Sequence, residues 1–171
     1  MPAPNHARES LSRFIEQLGL YFEGFGLPRI AGRLLGLLIV TDHALPLDEI
    51  ATRLQVSRAS VSTNARLLLA TRMIERVGVP GERRDFYAFI DRGWDAVIET
   101  DIDGVRTLRT LAAEALAGLG DEEPAARARL QDTVEFSAFY GDALATVLER
   151  WRARRMQTAS GAPRSATERT V

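Results

Sequence analysis

Arg58, Ser60, Ser62, Thr63 and Arg66 fall on the outward side of the stretch Arg58–Ala70, while Val61, Ala65, Leu68 and Leu69 face inward. A guanidinium can donate two parallel hydrogen bonds to a guanine edge, and serine and threonine hydroxyls reach bases or phosphates. Short side chains let such a helix sit deep in the major groove of duplex DNA and still offer hydrogen bonds there. A second cationic pair, Arg83 and Arg84, follows a Pro-Gly turn and has the reach for phosphates or a narrow minor groove. Taken in isolation, the first group is also a solvated helix face and the second an ordinary charged turn. Arg53 and Arg72 suit phosphate contacts and surface salt bridges equally well.

Other chemistry is argued against by what the chain lacks. Without cysteine there are no disulfides, no thiolate nucleophile and no cysteine-bound zinc. His6 and His43, the two histidines, have no partner at ligand spacing, so neither a histidine metal site nor a Ser-His-Asp triad is expected. All 22 basic residues are arginine, which removes lysine Schiff bases and the phosphate-binding P-loop. The Gly-x-Pro-Gly at 78–81 is a turn, not a phosphate loop. No enzyme, cofactor or metal is expected.

The formal net charge of −1 hides an asymmetry. From Arg53 to Arg84 seven arginines face two acids, a local charge of +5, whereas Asp85–Glu123 carries ten acids against three arginines. Apolar residues make up 46%, enough for a buried core. The longest apolar run, Leu34–Val40, contains Gly36 and falls far short of the roughly 18 residues a membrane span needs. The first residues carry no apolar segment of secretory type, so a cytoplasmic protein with no membrane partner is expected.

The elements that would position these residues follow from periodicity. Leu47–Leu54 is an amphipathic helix with Asp48 and Glu49 in its first turn, where acids favour the helix dipole. Gln55–Ser57 is a tight turn plugged by Val56, and Ser57 caps the helix Arg58–Ala70. Met73–Ile90 is two strands around the Pro-Gly turn, and Ala44–Leu45 could pair with them. Ahead of these lie helices Ser10–Phe25, capped by Ser10, and Pro28–Val40, whose Ala31, Gly32 and Gly36 permit close helix approach. After Asp91 come two long apolar stripes: Trp94 to Leu119, then a helix over Ala125–Arg155. Stripes of that length need a partner, and a second copy of the chain is the natural one. The expected fold is mainly α with a small β-hairpin wing. A flexible N-terminus occupies 1–9, a winged helix-turn-helix 10–90, a helical dimerisation region 91–155 and a disordered tail 156–171.

The segments 19–40, 47–69 and 74–87 resemble the MarR superfamily of bacterial regulators, in particular its GbsR-type branch. "GLPRIAGR" and "VSRASVSTNARLLL" are the strongest marks. The resemblance implies a winged-helix homodimer that binds palindromic double-stranded DNA, usually as a repressor, in some members releasing it on binding a small molecule. The wing of such proteins often carries Asp-x-Arg, where this chain has Glu82 and Arg84, so the ion pair there can be arranged differently. GbsR-type regulators include sensors of choline-like cations, which aromatic faces attract. On that reading Tyr21, Phe25, Trp94, Phe139 and Tyr140 would line an effector pocket; plain hydrophobic core is the competing reading. A winged helix that binds protein and never DNA is the alternative function, and arginine on the helix and wing argues against it.

Overall fold

The computed structural model describes residues 4–90, 93–120 and 123–161. It divides into two compact units, Met1–Val97 and Ile98–Val171. The first holds α1 (Pro4–Gly24), α2 (Arg29–Ile39), β1 (Leu45–Pro46), α3 (Leu47–Leu54), α4 (Arg58–Ala70), β2 (Ile74–Val77) and β3 (Phe86–Phe89). Helix α5 (Gly93–Gly118) begins in this unit and continues into the second, which also contains α6 (Pro124–Gly161).

The helix termini are fixed by local hydrogen bonds. Helix α1 ends in a Schellman motif: Gly26 takes a left-handed φ of 74°, its N–H reaches Glu23 O, and the Leu27 N–H reaches Phe22 O, each at 3.0 Å. The same pattern closes α3 through Gln55 (φ 54°) and α4 through Arg72 (φ 56°), although neither is glycine. The Val56 N–H bonds Ala51 O and the Met73 N–H bonds Leu68 O, both at 3.0 Å. Val56 also packs on the core, which offsets the cost of the left-handed residue before it.

Helices α1 and α2 cross closely because glycines line the crossing. A Cβ on Gly32 would lie 2.4 Å from Leu18 O and 2.9 Å from Gly19 Cα. The core sits between α2, the helix-turn-helix and the sheet, where Leu34, Leu35, Leu38, Leu45, Ile50, Leu54, Val61, Leu68 and Ile74 are fully buried. The sheet has order β1-β3-β2 and is antiparallel throughout, with Leu45 opposite Tyr87 and Val77 opposite Phe86. Between β2 and β3, Pro80 and Gly81 (φ 84°) occupy the middle of a type II turn closed by the Glu82 N–H on Val79 O at 3.0 Å.

In the second unit α5 and α6 run antiparallel. Arg127 donates to Leu119 O at 2.7 Å near the connection, and Arg152 pairs with Glu99 towards the far end.

Three expectations change. Helix α1 starts at Pro4, so residues 4–9, expected flexible, are helical and Ser10 lies inside the helix instead of capping it. Proline suits a first turn because its missing N–H would have had no partner there. The short strand is Leu45–Pro46, one residue later than Ala44–Leu45; Pro46 fits an edge strand. Helix α6 continues to Gly161, so residues 156–161 of the expected disordered tail are helical. The rest of that tail, 162–171, and residues 1–3 lie outside the described residues.

Candidate nucleic-acid interface

The turn between α3 and α4 sets the pose of the second helix. Ser57 Oγ accepts the Ser60 N–H at 3.1 Å and so satisfies one of the free donors of the first turn. Asn64, buried, donates from Nδ2 to Ser60 O at 2.8 Å and stiffens the buried side of the same turns. With Val61, Ala65 and Leu68 in the core, the opposite side of α4 must face solvent.

Of the five residues expected on that side, Arg58, Thr63 and Arg66 are exposed, while Ser60 and Ser62 are half-buried at its margins. Arg66 reaches Ser62 Oγ only at 3.4 Å, the outer limit of a hydrogen bond. The centre of the exposed face includes a residue not anticipated, Ala59. At about 100° per residue Ala59 falls between Arg66 and Thr63, so the helical period contained the signal. Selecting polar types alone passed over it.

The wing arginines differ from each other. Arg84 is held by Glu82 through a bidentate pair, Nε to Oε2 and Nη2 to Oε1, both 3.0 Å. Its guanidinium also lies 5.7 Å from the centroid of the Phe86 ring. The Glu82 hydrogen bonds and charge push the already high Arg84 pKa further up. Arg83 is exposed and forms no ion pair among the described residues. Arg53, the more ambiguous cation, pairs with Glu49 one turn back along α3.

Helix α4 and the wing meet at the first turn of α3. Arg58 Nε lies 2.8 Å from Asp48 Oδ1, and the Leu47 N–H points at Asp85 O in the wing loop at 3.4 Å. The two groups of arginines thus flank one short segment.

The aromatic candidates are placed differently. Tyr21 and Phe25 pair with each other on α1 at a ring separation of 4.8 Å, both exposed. Trp94, also exposed, lies 6.1 Å from the Phe89 ring. Phe139 and Tyr140 sit on α6, where Tyr140 stacks on Phe136 at 5.7 Å and Phe139 is 74% exposed. Trp151 Nε1 is buried and has no hydrogen-bond partner among the described residues. A cleft of about 540 Å³ opens elsewhere, between the end of α2, the 41–44 connection and the sheet; its lining includes Asp42, His43, Glu75 and Phe89 and none of the five candidates. His43 hydrogen-bonds Asp42 at 2.8 Å and holds that carboxyl below the usual carboxylate range. Among the described residues no three His, Cys, Asp or Glu side chains group as a metal site, and no helix is long and apolar enough to cross a membrane.

A three-stranded wing behind a capped second helix places the chain in the winged-helix class of regulators. Family models agree: residues 25–85 match the MarR family, and residues 92–154 match the MmpR5-like MarR family transcriptional regulators. The chain is 36% identical over 149 residues to the HTH-type transcriptional regulator MmpR5 of Mycobacterium tuberculosis (strain ATCC 25618 / H37Rv), covering 86% of this chain and 90% of that protein. It is 30% identical over 74 residues to the putative HTH-type transcriptional regulator YvaV of Bacillus subtilis (strain 168), 43% of this chain and 42% of that one. A solved structure described as a crystal structure of a transcriptional regulator superimposes with a TM-score of 0.77 at 35% identity, covering 84% of this chain and 99% of the other. The chain belongs to the MarR family of transcriptional regulators.

Proposed function

We propose that the chain is a cytoplasmic, homodimeric repressor that binds a palindromic DNA operator, each protomer placing α4 in one major groove. The observation that carries this reading is the convergence on the first turn of α3. The exposed face of α4 and the arginine-bearing wing lie on either side of that turn, as a helix in a major groove and a wing over the flanking backbone require. Arg66 and Thr63 stand where base edges would be, with the Ala59 methyl between them suited to a thymine methyl. Arg83 and Arg84 face phosphates or the adjacent minor groove. The two half-sites then lie about one helical turn, roughly 34 Å, apart.

The dimer is supported by apolar side chains left in the open. Leu108 and Leu111 on α5, Phe136, Phe139 and Val147 on α6, and Leu11 and Phe14 on α1 are exposed in the single chain. Exposed apolar side chains of that size are a normal site of subunit contact. A small-molecule effector would act by changing the separation of the two α4 helices. The GbsR-type likeness rests on segments 19–40, 47–69 and 74–87, whereas the helical half matches the MmpR5-like model, so choline-like cations are one effector class to screen and not the only one.

Fluorescence anisotropy tests this on duplexes enriched from a random pool, against a scrambled duplex, at two salt concentrations. Tight, salt-sensitive binding to the enriched duplex with clear preference over the scrambled one is expected. No enrichment, with weak binding that salt does not change, overturns the reading in favour of a protein partner.

A further inference from the structure

Asp48 belongs to neither half of that interface, yet it contacts α4 and follows the residue that bonds the wing loop. Its Oδ1 is 2.8 Å from Arg58 Nε. The residue before it is hydrogen-bonded to the wing loop. Four arginines are assigned to the proposed interface. Arg58 and Arg84 are each held by a carboxylate, whereas Arg66 and Arg83 form no ion pair among the described residues. A carboxylate in the first turn of α3 serves the helix dipole, but Glu49 beside it already does so. An exposed ion pair adds little to fold stability. Stability therefore does not account for an acid on a surface that meets phosphates, where each approaching phosphate is repelled by it.

We propose that Asp48 determines specificity by holding Arg58, withholding that cation from phosphates in general and yielding it only where α4 has docked fully on its cognate bases. The inference rests on α4 being the groove-facing helix. On arbitrary DNA, Arg58 stays on Asp48, releases no counterion, and the carboxylate repels the backbone. On the cognate site the other contacts hold the helix deep enough for a nucleic-acid acceptor to compete for the guanidinium. The acid thus penalises the wrong complex more than the right one.

The experiment uses the full chain in four forms: wild type, Asp48→Asn, Arg58→Gln and the double variant. Each is titrated with the enriched and the scrambled duplex across a salt series. Asp48→Asn should tighten binding to the scrambled duplex about threefold or more. It should also steepen the salt slope by about one for each protomer bound and narrow the preference for the enriched duplex. In the Arg58→Gln background the same change relieves only the carboxylate's own repulsion, so each of these effects should be clearly smaller than with Arg58 present. An Asp48→Asn slope and preference equal to wild type overturns the proposal, and so does a shift of equal size with and without Arg58. Thermal melts check folding; if Asp48→Asn is unfolded, Asp48→Ser takes its place in the same cycle. A wild-type protein that enriches no duplex refutes the DNA reading itself, so the two failures are distinct.

Discussion

Arg66→Ala is the perturbation that most directly tests the docking of α4. In the free protein Arg66 is exposed, and its one hydrogen bond, to Ser62 Oγ, is 3.4 Å long. Removing it takes nothing from the core, and alanine is at least as good a helix former. Fold stability should stay within about 0.5 kcal/mol of wild type. At a base edge the same side chain would contribute about 1–3 kcal/mol of discrimination. A dimer carries it twice, so the operator should lose about 2–6 kcal/mol, or from about 30-fold to beyond 10⁴-fold in affinity. The scrambled duplex should lose far less. If Arg66 instead holds phosphate, both duplexes weaken together and the salt slope falls by about one per protomer. Anisotropy titrations of Arg66→Ala beside Arg109→Ala, an exposed arginine on α5, separate these cases. Equal operator affinities for the two variants would refute the placement of α4 in the groove.

Three further outcomes are expected. Ser57→Ala should cost about 1 kcal/mol and Ser57→Gly only a few tenths, seen as a fall of about 2–4 °C in Tm for the first; equal effects would mean that the 3.1 Å cap bond to Ser60 contributes nothing. Gly32→Ala should destabilise by about 1–3 kcal/mol in urea unfolding, since its Cβ meets backbone at 2.4 Å. Gly104→Ala, with nothing within 4 Å, should go the other way by up to about 1 kcal/mol, and a shared sign would undo the close-crossing argument. Phe139→Glu, at a position 74% exposed in the single chain, should keep its helical circular dichroism while light scattering gives the monomer mass; an unchanged dimer mass would remove that part of α6 from the proposed interface.

The helix-turn-helix and the wing were legible because several local signals agree there. The apolar period, the Ser57 cap and the Pro80–Gly81 turn all specify the same elements, and each is present in the structure. The helix ends were only partly legible. Gly26 announces a left-handed residue, but Gln55 and Arg72 adopt the same conformation with no such signal, because the following Val56 and Met73 pack against the core. Ser60 and Ala59 exchange places relative to expectation for a simple reason. Residue type suggested the serine, while the period of the helix, which decides exposure, favours the alanine. The aromatic residues were the least legible. A stripe of large apolar side chains has the same spacing whether it lines a pocket, fills a core or meets a second protomer, so periodicity gives the stripe and not its neighbour.

The absence of lysine bears on how the wing works. A guanidinium has five N–H donors in a fixed plane, whereas an ammonium is a point charge on a flexible stem. Glu82 takes two of the five from Arg84 at 3.0 Å and the Phe86 ring lies near its face, so the group's direction is set while three donors stay unused by that pair. The longer glutamate still reaches both nitrogens, and the departure from Asp-x-Arg preserves a bidentate pair. A lysine at 84 could keep the charge but could not be tethered and still present a planar set of donors. At Arg58, too, a carboxylate oxygen lies 2.8 Å from Nε, and it must yield the guanidinium before another acceptor takes it. Carboxylates that bind arginines in this way reduce the long-range attraction of the surface without removing its hydrogen-bonding geometry. For a chain whose formal net charge is −1, that arrangement makes close fit, more than bulk charge, the basis of affinity for a nucleic acid.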